Sequence, residues 1–407
     1  MISAMTKYLK LGIIAVLALL LGSCTEADKF DPTREVLVMT GTDENPLVKF
    51  ALENAPAIYP LTVSSTGKVS EDVTVKIKID NSLVEKYNVE NKTSYYAAPA
   101  SALQLEKTSL KIAKGTAVSE ISNLMIVSDE EFVDGRIYMI PVTISEVTGG
   151  KEVLESSRTI YLRISRVYQF ASLNISNPSF YSSFIFPDEN MLELPQHTIE
   201  IKFLAHSWHT STSEPISRLC NIANKTEAGY LYRIGENGYA KNQLQLKGQG
   251  SVVIGSNTLF SENVWYTLSV TFDGSSTRLY VDGVRDNEVS EGYPLTFQRA
   301  EFGMSWGGYG TKQKFDGRIA EFRVWDRALT ASEIQLGLCG VDPASEGLRA
   351  YWKLNDGQGH IFKSSIEGYP DIDWSNTWRS PNEGADQNLD YSAYVSWVND
   401  EKNKCVN

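Results

Sequence analysis

The sequence predicts an all-β protein made of two consecutive domains, and three observations lead to this prediction. Short segments with apolar residues at every second position recur along much of the 407-residue chain, a spacing typical of strands with one buried face. Clusters of Gly, Asn, Asp and Ser separate these segments. Hydrophobic residues make up 42% of the chain, which is enough for sizeable cores.

The first 24 residues have the features of a bacterial lipoprotein signal. Lys7 and Lys10 precede an apolar run over residues 11–21, which is too short for a permanent membrane span. The run ends in Leu21-Gly22-Ser23-Cys24, where small residues precede a thiol that would accept lipid. We therefore expect residues 1–23 to be removed and Cys24 to be acylated. The alternatives are a transmembrane anchor and an ordinary secretory signal.

Residues 24–34 are predicted to form a polar tether between the lipid and the first domain. Several acyl chains on Cys24 would give stable membrane anchoring. The acidic segment Glu26–Asp31 resembles the surface-export signals of Bacteroidetes lipoproteins. This resemblance implies an outer-membrane location that faces the cell exterior.

The charge balance argues against nucleic acid as a partner. The formal net charge is −12, and no basic run is present to contact phosphates. The chain has only four His and four Cys, so few residues are available for catalysis or metal binding through these side chains.

Residues 35–166 are predicted to form an immunoglobulin-like β-sandwich. Alternation is clear over residues 73–79, 138–144 and 160–164, and about seven such strands over this length are typical of that architecture. We expect half-buried antiparallel strands with a polar outer face. Turn residues such as Asp134-Gly135 separate them.

Residues 167–407 are predicted to form the second domain with a C-terminal tail. Residues 167–190 are interpreted as a connection. Two alternating segments then flank Asp273-Gly274, which is a strong hairpin signal. Thr330-Ala331-Ser332-Glu333 has the sequence of a capping box and predicts one short helix. Residues 355–407 are predicted to be mostly loop.

Three motifs, in order, resemble laminin G-like, concanavalin A-like domains. They lie at residues 265–283, where Trp265-Tyr266-Thr267 leads into two turns, at residues 315–329, and at residues 349–357. The resemblance covers about residues 170–360 and implies a jelly roll. It also implies one structural Ca²⁺ as an option, with Asp188, Asp273 and Asp356 among the loop acids and no ligand assigned.

The first region resembles the N-terminal β-sandwich of Bacteroidetes surface lipoproteins. Together the two resemblances imply a surface lipoprotein that binds an oligosaccharide or glycan for a polysaccharide-utilisation system, beside an outer-membrane transporter. Some relatives of this architecture accompany endoglycosidases that act on host N-glycans, so the implied ligand includes host N-glycan.

Catalytic residue patterns are weak, and the sequence predicts a protein that is not an enzyme. Concanavalin A-like glucanases carry E-x-D-x-x-E on one strand, and this string is missing here. Asp371 and Asp373 have a suitable spacing but lie in a predicted loop. His206 and His209 lack the Glu of a helical zinc motif. The alternatives are an adhesive module that binds a protein, and a glycosidase with an unrecognised site.

Glycan sites combine an aromatic platform with planar hydrogen-bonding groups. Aromatic residues in predicted loops are therefore the candidates, while Trp265, Trp325 and Trp352 are expected in the core. Arg218, Asn242 and Gln245 are plausible hydrogen-bonding partners. The predicted glycan-binding residues are Trp208, His209, Trp306, Tyr309, Trp374 and Trp378.

With Cys24 acylated, Cys220, Cys339 and Cys405 remain. An oxidising compartment permits one disulfide among them. We favour Cys339 with Cys405, which would attach the tail to the body of the protein. The alternative is three free thiols, with Cys220 buried in a strand.

Overall fold

The structure is a computed structural model that describes residues 35–176, 183–209, 216–226, 228–236, 238–248, 251–303, 313–377 and 389–406, with side chains except at 167–170 and 400–406. The predictions for the signal segment, the tether, Cys24, Trp306, Tyr309 and Trp378 lie outside these residues. In the described part of the chain, no helix is long and apolar enough to cross a membrane.

The first region consists mainly of strands, as the predicted fold class requires, and also contains one helix. Its elements are β1 (Val36–Met39), β2 (Leu47–Leu52), β3 (Ala57–Leu61), β4 (Val63–Ser65), β5 (Val73–Ile79), α1 (Leu83–Asn91), β6 (Tyr96–Ala97), β7 (Leu103–Leu105), β8 (Ser109–Ile112), β9 (Ser122–Ile126), β10 (Tyr138–Thr148), β11 (Glu152–Val153) and β12 (Thr159–Asn174).

Three sheets enclose the core of the first region. They have the orders β2-β12-β10-β5-β8, β3-β9-β7 and β11-β1-β4, and residues of all three form one apolar cluster that includes Leu37, Val75 and Leu124. The predicted antiparallel pairing is confirmed for β10 with β12 and with β5, but three pairs are parallel. β2 runs parallel to β12, β1 to β11 and β6 to β10.

Helix α1 was not predicted, because it lacks the apolar stripe that normally identifies a helix. Val84 is its only buried residue. Hydrogen bonds hold both of its ends: Leu83 N donates to Asp80 O at 3.1 Å, and Asn88 Nδ2 donates to Tyr95 O at 2.8 Å. The helix is therefore positioned mainly by polar contacts.

The second region is also all-β apart from one short helix. Its elements are β13 (Ser183–Ile185), β14 (Leu192–Leu194), β15 (His197–Ser207), β16 (Ser217–Ala223), β17 (Gly229–Ile234), β18 (Gln243–Lys247), β19 (Val252–Leu259), β20 (Trp265–Phe272), β21 (Thr277–Val281), β22 (Val284–Val289), β23 (Leu295–Phe297), β24 (Arg299–Phe302), β25 (Asp316–Trp325), α2 (Ala331–Leu336), β26 (Leu348–Trp352), β27 (Ile361–Phe362), β28 (Ile372–Asp373) and β29 (Ser396–Val406).

Two large sheets pack face to face in this region. One has the order β22-β21-β20-β15-β25 and the other has the order β13-β24-β16-β17-β18-β19. The core between them includes Phe203, Tyr232 and Trp352. The predicted hairpin is confirmed, since Phe272 pairs with Thr277 across the turn. The predicted capping box at Thr330 is also confirmed.

Residues 355–395 are mostly irregular where the structure describes them, as predicted, but the tail ends in a long strand that was not predicted. β29 spans 11 residues and pairs antiparallel with β12, from Val167 opposite Val406 to Asn174 opposite Ser396. The sequence of β29 is largely polar and charged, so it carries no apolar alternation. Backbone pairing with an existing edge creates this strand, and that cannot be read from its side chains.

β12 belongs to both regions. Its residues up to Arg166 pair with β2 and β10, and its residues from Val167 pair with β29 and then β25. The predicted domain boundary between residues 166 and 167 therefore lies within a continuous strand. The expectation of an irregular connection was wrong for residues 167–174.

Polar contacts also join the two regions. Asp342 Oδ2 accepts hydrogen bonds from Arg136 Nε at 2.8 Å and from the Tyr96 hydroxyl at 2.7 Å. Burial raises the pKa of Asp342, but the hydrogen bond from Arg136 and its other contacts outweigh burial and lower it. Gly135 has φ +83°, and a Cβ there would lie 2.1 Å from the carbonyl carbon of Val341. Only glycine allows this close approach.

The outer face of the β15–β25 sheet is covered by α2 and the segment after it. Ile334 and Leu348 join Trp325 in a small apolar cluster there. Beneath it, Arg323 is 1% exposed and bonds Glu200 at 3.2 Å and Glu321 at 2.5 Å. Arg323 therefore places one positive charge between two buried carboxylates.

The cysteines partly match the prediction. Cys339 is disulfide-bonded, and Cys220 is free and buried. The Cys405 backbone lies opposite Tyr168 in the β12–β29 pairing, while its side chain lies outside the described residues. The pairing of Cys339 with Cys405 stays a prediction.

Mass spectrometry of the unreduced, proteolysed protein tests this pairing. We expect to find the Cys339 peptide linked to the Cys405 peptide. We expect Cys220 to react with an alkylating reagent only after the protein has been unfolded. A Cys339–Cys24 peptide would contradict the predicted pairing.

His197 gives the second region a pH-dependent stability. The side chain is fully buried, with the rings of Tyr230 and Phe272 centred 5.5 Å away. Burial lowers the pKa of His197 to about 4, from 6.5. Between pH 4 and pH 6.5 the His197 side chain is therefore protonated in the unfolded chain but not in the folded protein. The contribution of the neutral, buried His197 to the free energy of unfolding is complete above pH 6.5 and is lost as the pH falls towards 4.

We expect acidification from pH 7 to 4.5 to lower the free energy of unfolding by about 2–3 kcal/mol more in the natural protein than in His197→Phe. Urea denaturation at both pH values measures this difference. His360→Phe, at a half-exposed site, is the control and should keep the full pH dependence. An equal pH dependence in His197→Phe would contradict the assignment.

Candidate functional site

The six-stranded sheet has one face in the core and one face turned away from it. Alternate residues of its strands supply apolar side chains to the core, such as Ile222, Tyr232 and Leu246. The intervening residues therefore point to the opposite face. On that face, charged and amide side chains replace the small or apolar residues expected for a buried surface.

We call this set of side chains the polar face. The strand register places Glu301 opposite Ser183 on one side and Asn221 on the other. Arg233 lies opposite Arg218 and Gln245 in a second row. The polar face consists of Arg218, Asn221, Arg233, Gln245, Arg299 and Glu301.

Glu301 is the centre of the first hydrogen-bonded group. Asn221 Nδ2 donates to Glu301 Oε2 at 3.1 Å, and Arg299 forms an ion pair with the same carboxylate. Arg299 Nε donates to Ser183 Oγ at 3.2 Å.

Arg233 is the centre of the second group. Its NH2 donates to Gln245 Oε1 at 2.8 Å, and its NH1 pairs with Glu236. Gln245 Nε2 in turn donates to the carbonyl of Glu236 at 2.9 Å. Burial lowers the pKa of Arg233, and the carboxylate of Glu236 partly offsets this effect.

All six side chains of the polar face are at most 6% exposed. Charged residues are rarely buried unless they are paired, because removing them from water is costly. The polar face therefore concentrates planar amide, guanidinium and carboxylate groups that are held in fixed orientations. These groups bond one another, so they fix the strands beneath the surface of the domain.

Two of the predicted stacking residues are core residues instead. Trp208 is 4% exposed and its ring lies edge-on to Phe315, with centroids 6.3 Å apart. Trp374 is 0% exposed and contacts Phe184 and Phe362 edge-on, at 4.7 and 4.5 Å. Neither ring presents a face to a ligand, so both predictions are corrected. Apolar rings from distant strands bury them, which their local sequence does not reveal.

His209 also has a structural contact. Its Nε2 lies 2.6 Å from the carbonyl oxygen of Lys314, which connects the end of β15 to the start of β25. The nearby His206 accepts a hydrogen bond at Nε2 from Arg318 Nε at 3.0 Å and has Nδ1 2.9 Å from Ser176 Oγ. These two histidines therefore serve local hydrogen bonding.

Two of the three residues predicted as hydrogen-bonding partners lie on the polar face, and one does not. Arg218 and Gln245 do lie on the polar face, whereas Asn242 donates to the carbonyl of Phe260 at 3.0 Å. Sequence reasoning missed Asn221, Arg233, Arg299 and Glu301. Polar residues alternating with apolar ones in Arg299-Ala300-Glu301-Phe302 were the available signal, but a solvent-exposed strand face gives the same pattern.

Two of the loop acids considered for Ca²⁺ have other partners, and the Ca²⁺ site stays a prediction without assigned ligands. Asp188 accepts from Gln298 Nε2 at 2.7 Å and pairs with Lys225. Asp273 accepts three bonds from the Ser275-Ser276 turn and one from Arg278, which lower its pKa. Among the described residues, no three His, Cys, Asp or Glu side chains gather as metal ligands.

Residues 194–335 match the family model of the concanavalin A-like lectin and glucanase superfamily. Residues 33–151 match a second family model, which describes an N-terminal domain. The second region therefore contains a concanavalin A-like domain, as the resemblance implied. No curated protein sequence matches the chain.

Solved structures resemble the chain in fold. A candidate carbohydrate-binding protein from Bacteroides ovatus is 22% identical, with a TM-score of 0.62 over 81% of this chain and 93% of that chain. EndoBT-3987 of Bacteroides thetaiotaomicron with a Man5GlcNAc product is 20% identical over 32% of this chain and 30% of its own, with a TM-score of 0.27.

A heptameric SAP-like pentraxin from Limulus polyphemus is 13% identical over 55% of this chain and 97% of its own, with a TM-score of 0.35. At these identities the similarities concern the fold alone, and only the first extends across both regions with a substantial TM-score.

Proposed function

Because residues 194–335 form a concanavalin A-like domain, we propose that the protein binds a glycan through this domain and releases it chemically unchanged. The polar face carries this proposal. Its buried Arg, Asn, Gln and Glu side chains bond one another and fix one face of this domain, and a rigid face of this kind suits a preorganised binding surface.

The proposed mechanism combines a preorganised sheet face with aromatic stacking. Asn221, Arg233 and Gln245 are at most 5% exposed and have partners within the sheet, so they would act as positioning residues beneath the bound sugar rather than contact its hydroxyl groups. Residues 304–312 follow β24 directly in sequence and contain Trp306 and Tyr309, the loop aromatics that we expect to stack on apolar sugar faces. Many copies on one surface would compensate for modest affinity at each site.

The contacts of Glu301 support binding without catalysis. A glycosidase needs one carboxyl group that can carry a proton as general acid. Arg299 forms an ion pair with Glu301, and Asn221 donates to the same carboxylate, so both oxygens of this group are engaged by neighbours. Glu236 is likewise paired, with Arg233.

The cellular setting is part of the proposal. Lipid on Cys24 would hold the protein at the outer membrane, facing the exterior, as the sequence of residues 1–31 supports. There it would deliver glycan, with host N-glycan among the candidates, to a transporter of the same polysaccharide-utilisation system.

Affinity electrophoresis and calorimetry of a soluble chain that starts after Cys24, against a glycan panel, test the proposal. We expect Asn221→Ala to weaken binding about tenfold, because it removes an amide of the polar face while Arg299 still neutralises Glu301. Gln298→Ala is the matched control: it also removes a buried, hydrogen-bonded amide, but one outside the polar face.

Equal weakening by Asn221→Ala and Gln298→Ala would contradict the assigned site. Failure of every glycan to bind would contradict the function, and shortened products would indicate an enzyme. Trp306→Ala tests the stacking separately, and we expect it to weaken binding without changing stability.

A further inference from the structure

The first region contains a cavity of about 540 Å³ between helix α1 and strands β10 and β12. This volume lies within the range of small-molecule sites. Neither family model nor any sequence prediction assigns a role to it. It lies in the sandwich that precedes the concanavalin A-like domain, so it is separate from the polar face.

The helix turns one regular stripe of side chains towards this cavity. Leu83, Lys86, Tyr87, Glu90 and Asn91 all line it, at the i, i+3, i+4, i+7 and i+8 spacing of one helix face. In a helix that packs on a sheet, this stripe is apolar. Here it is mostly polar, and the space beneath it is open.

Tyrosine rings form one wall of the cavity. Tyr87 of the helix and Tyr161 of β12 both line it, and their ring centroids are 4.6 Å apart. Tyr95 extends the group, with its ring 6.1 Å from that of Tyr87. Burial raises the pKa of Tyr87 and of Tyr161, consistent with rings that lie partly out of water.

Hydroxyl, amide and charged groups form the rest of the lining. Thr159 Oγ1 donates to Thr143 Oγ1 at 2.8 Å, and both residues belong to the strands beneath the helix. Arg158 is fixed by two bonds to Glu155 and by one to the Ile144 carbonyl at 2.8 Å. Opposite charges thus occur together, so the cavity does not select a strongly charged ligand.

We propose that this cavity binds a neutral oligosaccharide. A wall of tyrosine rings suits the apolar face of a sugar ring, and fixed planar and hydroxyl groups suit its hydroxyls. A purely apolar ligand would remove the charged groups of Lys86 and Glu90 from water without new hydrogen bonds, which is costly. Hydrogen bonds at both ends of α1 hold the cavity open before a ligand arrives.

Hydrogen–deuterium exchange of the whole soluble chain locates the site directly. The probes are neutral tri- and tetrasaccharides of glucose, mannose, galactose and N-acetylglucosamine. At least one is expected to slow exchange in residues 83–91 and 159–161. If none does so, the proposal is overturned, whatever happens at the six-stranded sheet.

Variants then separate this site from the polar face. Tyr87→Ala should weaken the binding that protects α1 about tenfold and leave protection at the polar face unchanged, whereas Asn221→Ala should do the opposite. Glu90→Ala and Glu85→Ala compare two exposed acids of one helix, of which only Glu90 lines the cavity.

Of these two Glu substitutions, only Glu90→Ala should alter the affinity of the cavity beside α1 for the oligosaccharide. Equal effects of Glu85→Ala and Glu90→Ala, or loss of α1 protection in Asn221→Ala but not in Tyr87→Ala, would contradict the proposal. Circular dichroism of each variant verifies that α1 and the sheets remain folded.

Discussion

Replacing Arg323 by Met is expected to lower the free energy of unfolding by about 3–5 kcal/mol. Arg323 is 1% exposed and is the cation between the carboxylates of Glu200 and Glu321. Without it, two buried acids would face each other. Tyr351 donates to Glu321 at 2.6 Å and Trp325 donates to Glu200 at 3.0 Å, but neither supplies a positive charge.

Urea denaturation with circular dichroism measures the loss. The triple variant Arg323→Met, Glu200→Gln, Glu321→Gln should recover most of the stability, because it removes the unpaired charges together. Arg285→Ala breaks an exposed ion pair with Glu288 and should cost less than about 1 kcal/mol. A loss of the same size in Arg285→Ala and Arg323→Met would show that burial of the network is not the cause.

Trp374→Ala is expected to lower the free energy of unfolding by about 3–5 kcal/mol. The ring is 0% exposed and packs edge-on against Phe184 and Phe362. Its removal would leave a large cavity between the short β27–β28 hairpin and the core. Glycan affinity, measured under conditions where the variant stays folded, should not change.

The control is Trp397→Ala, since Trp397 is only partly buried and contacts Phe362 from the surface side, at 5.1 Å. We expect a smaller loss, of about 1–2 kcal/mol. A Trp374→Ala protein with normal stability and lost glycan binding would restore Trp374 to the site and overturn its assignment to the core.

Elements whose structure depends on neighbouring residues in the sequence were predictable. The Asp273-Gly274 hairpin and the helix after Thr330 follow from turn chemistry and capping, which depend on neighbours in sequence. The motifs that identified the concanavalin A-like domain lie in these same elements. Helix α1 and strand β29 were missed, because one rests on polar contacts at its ends and the other on pairing with β12.

The candidate site was harder to predict, for a physical reason. Trp208 and Trp374 lie in irregular sequence, so their burial depends on rings that come from distant strands. Arg299 and Glu301 have the spacing of an ordinary surface strand. Only the tertiary structure shows that this face of the sheet is buried and that its charges meet across three strands.

The continuity of β12 has a mechanical consequence. A force that pulls the second region away from the first would act along one strand whose two halves are flanked by β10 and β29. That geometry loads many backbone hydrogen bonds in shear at once, whereas a flexible linker would simply extend. Asp342 and Gly135 make further contacts at the junction, so we expect the two regions to resist bending and a force applied to the second region to be transmitted to the first.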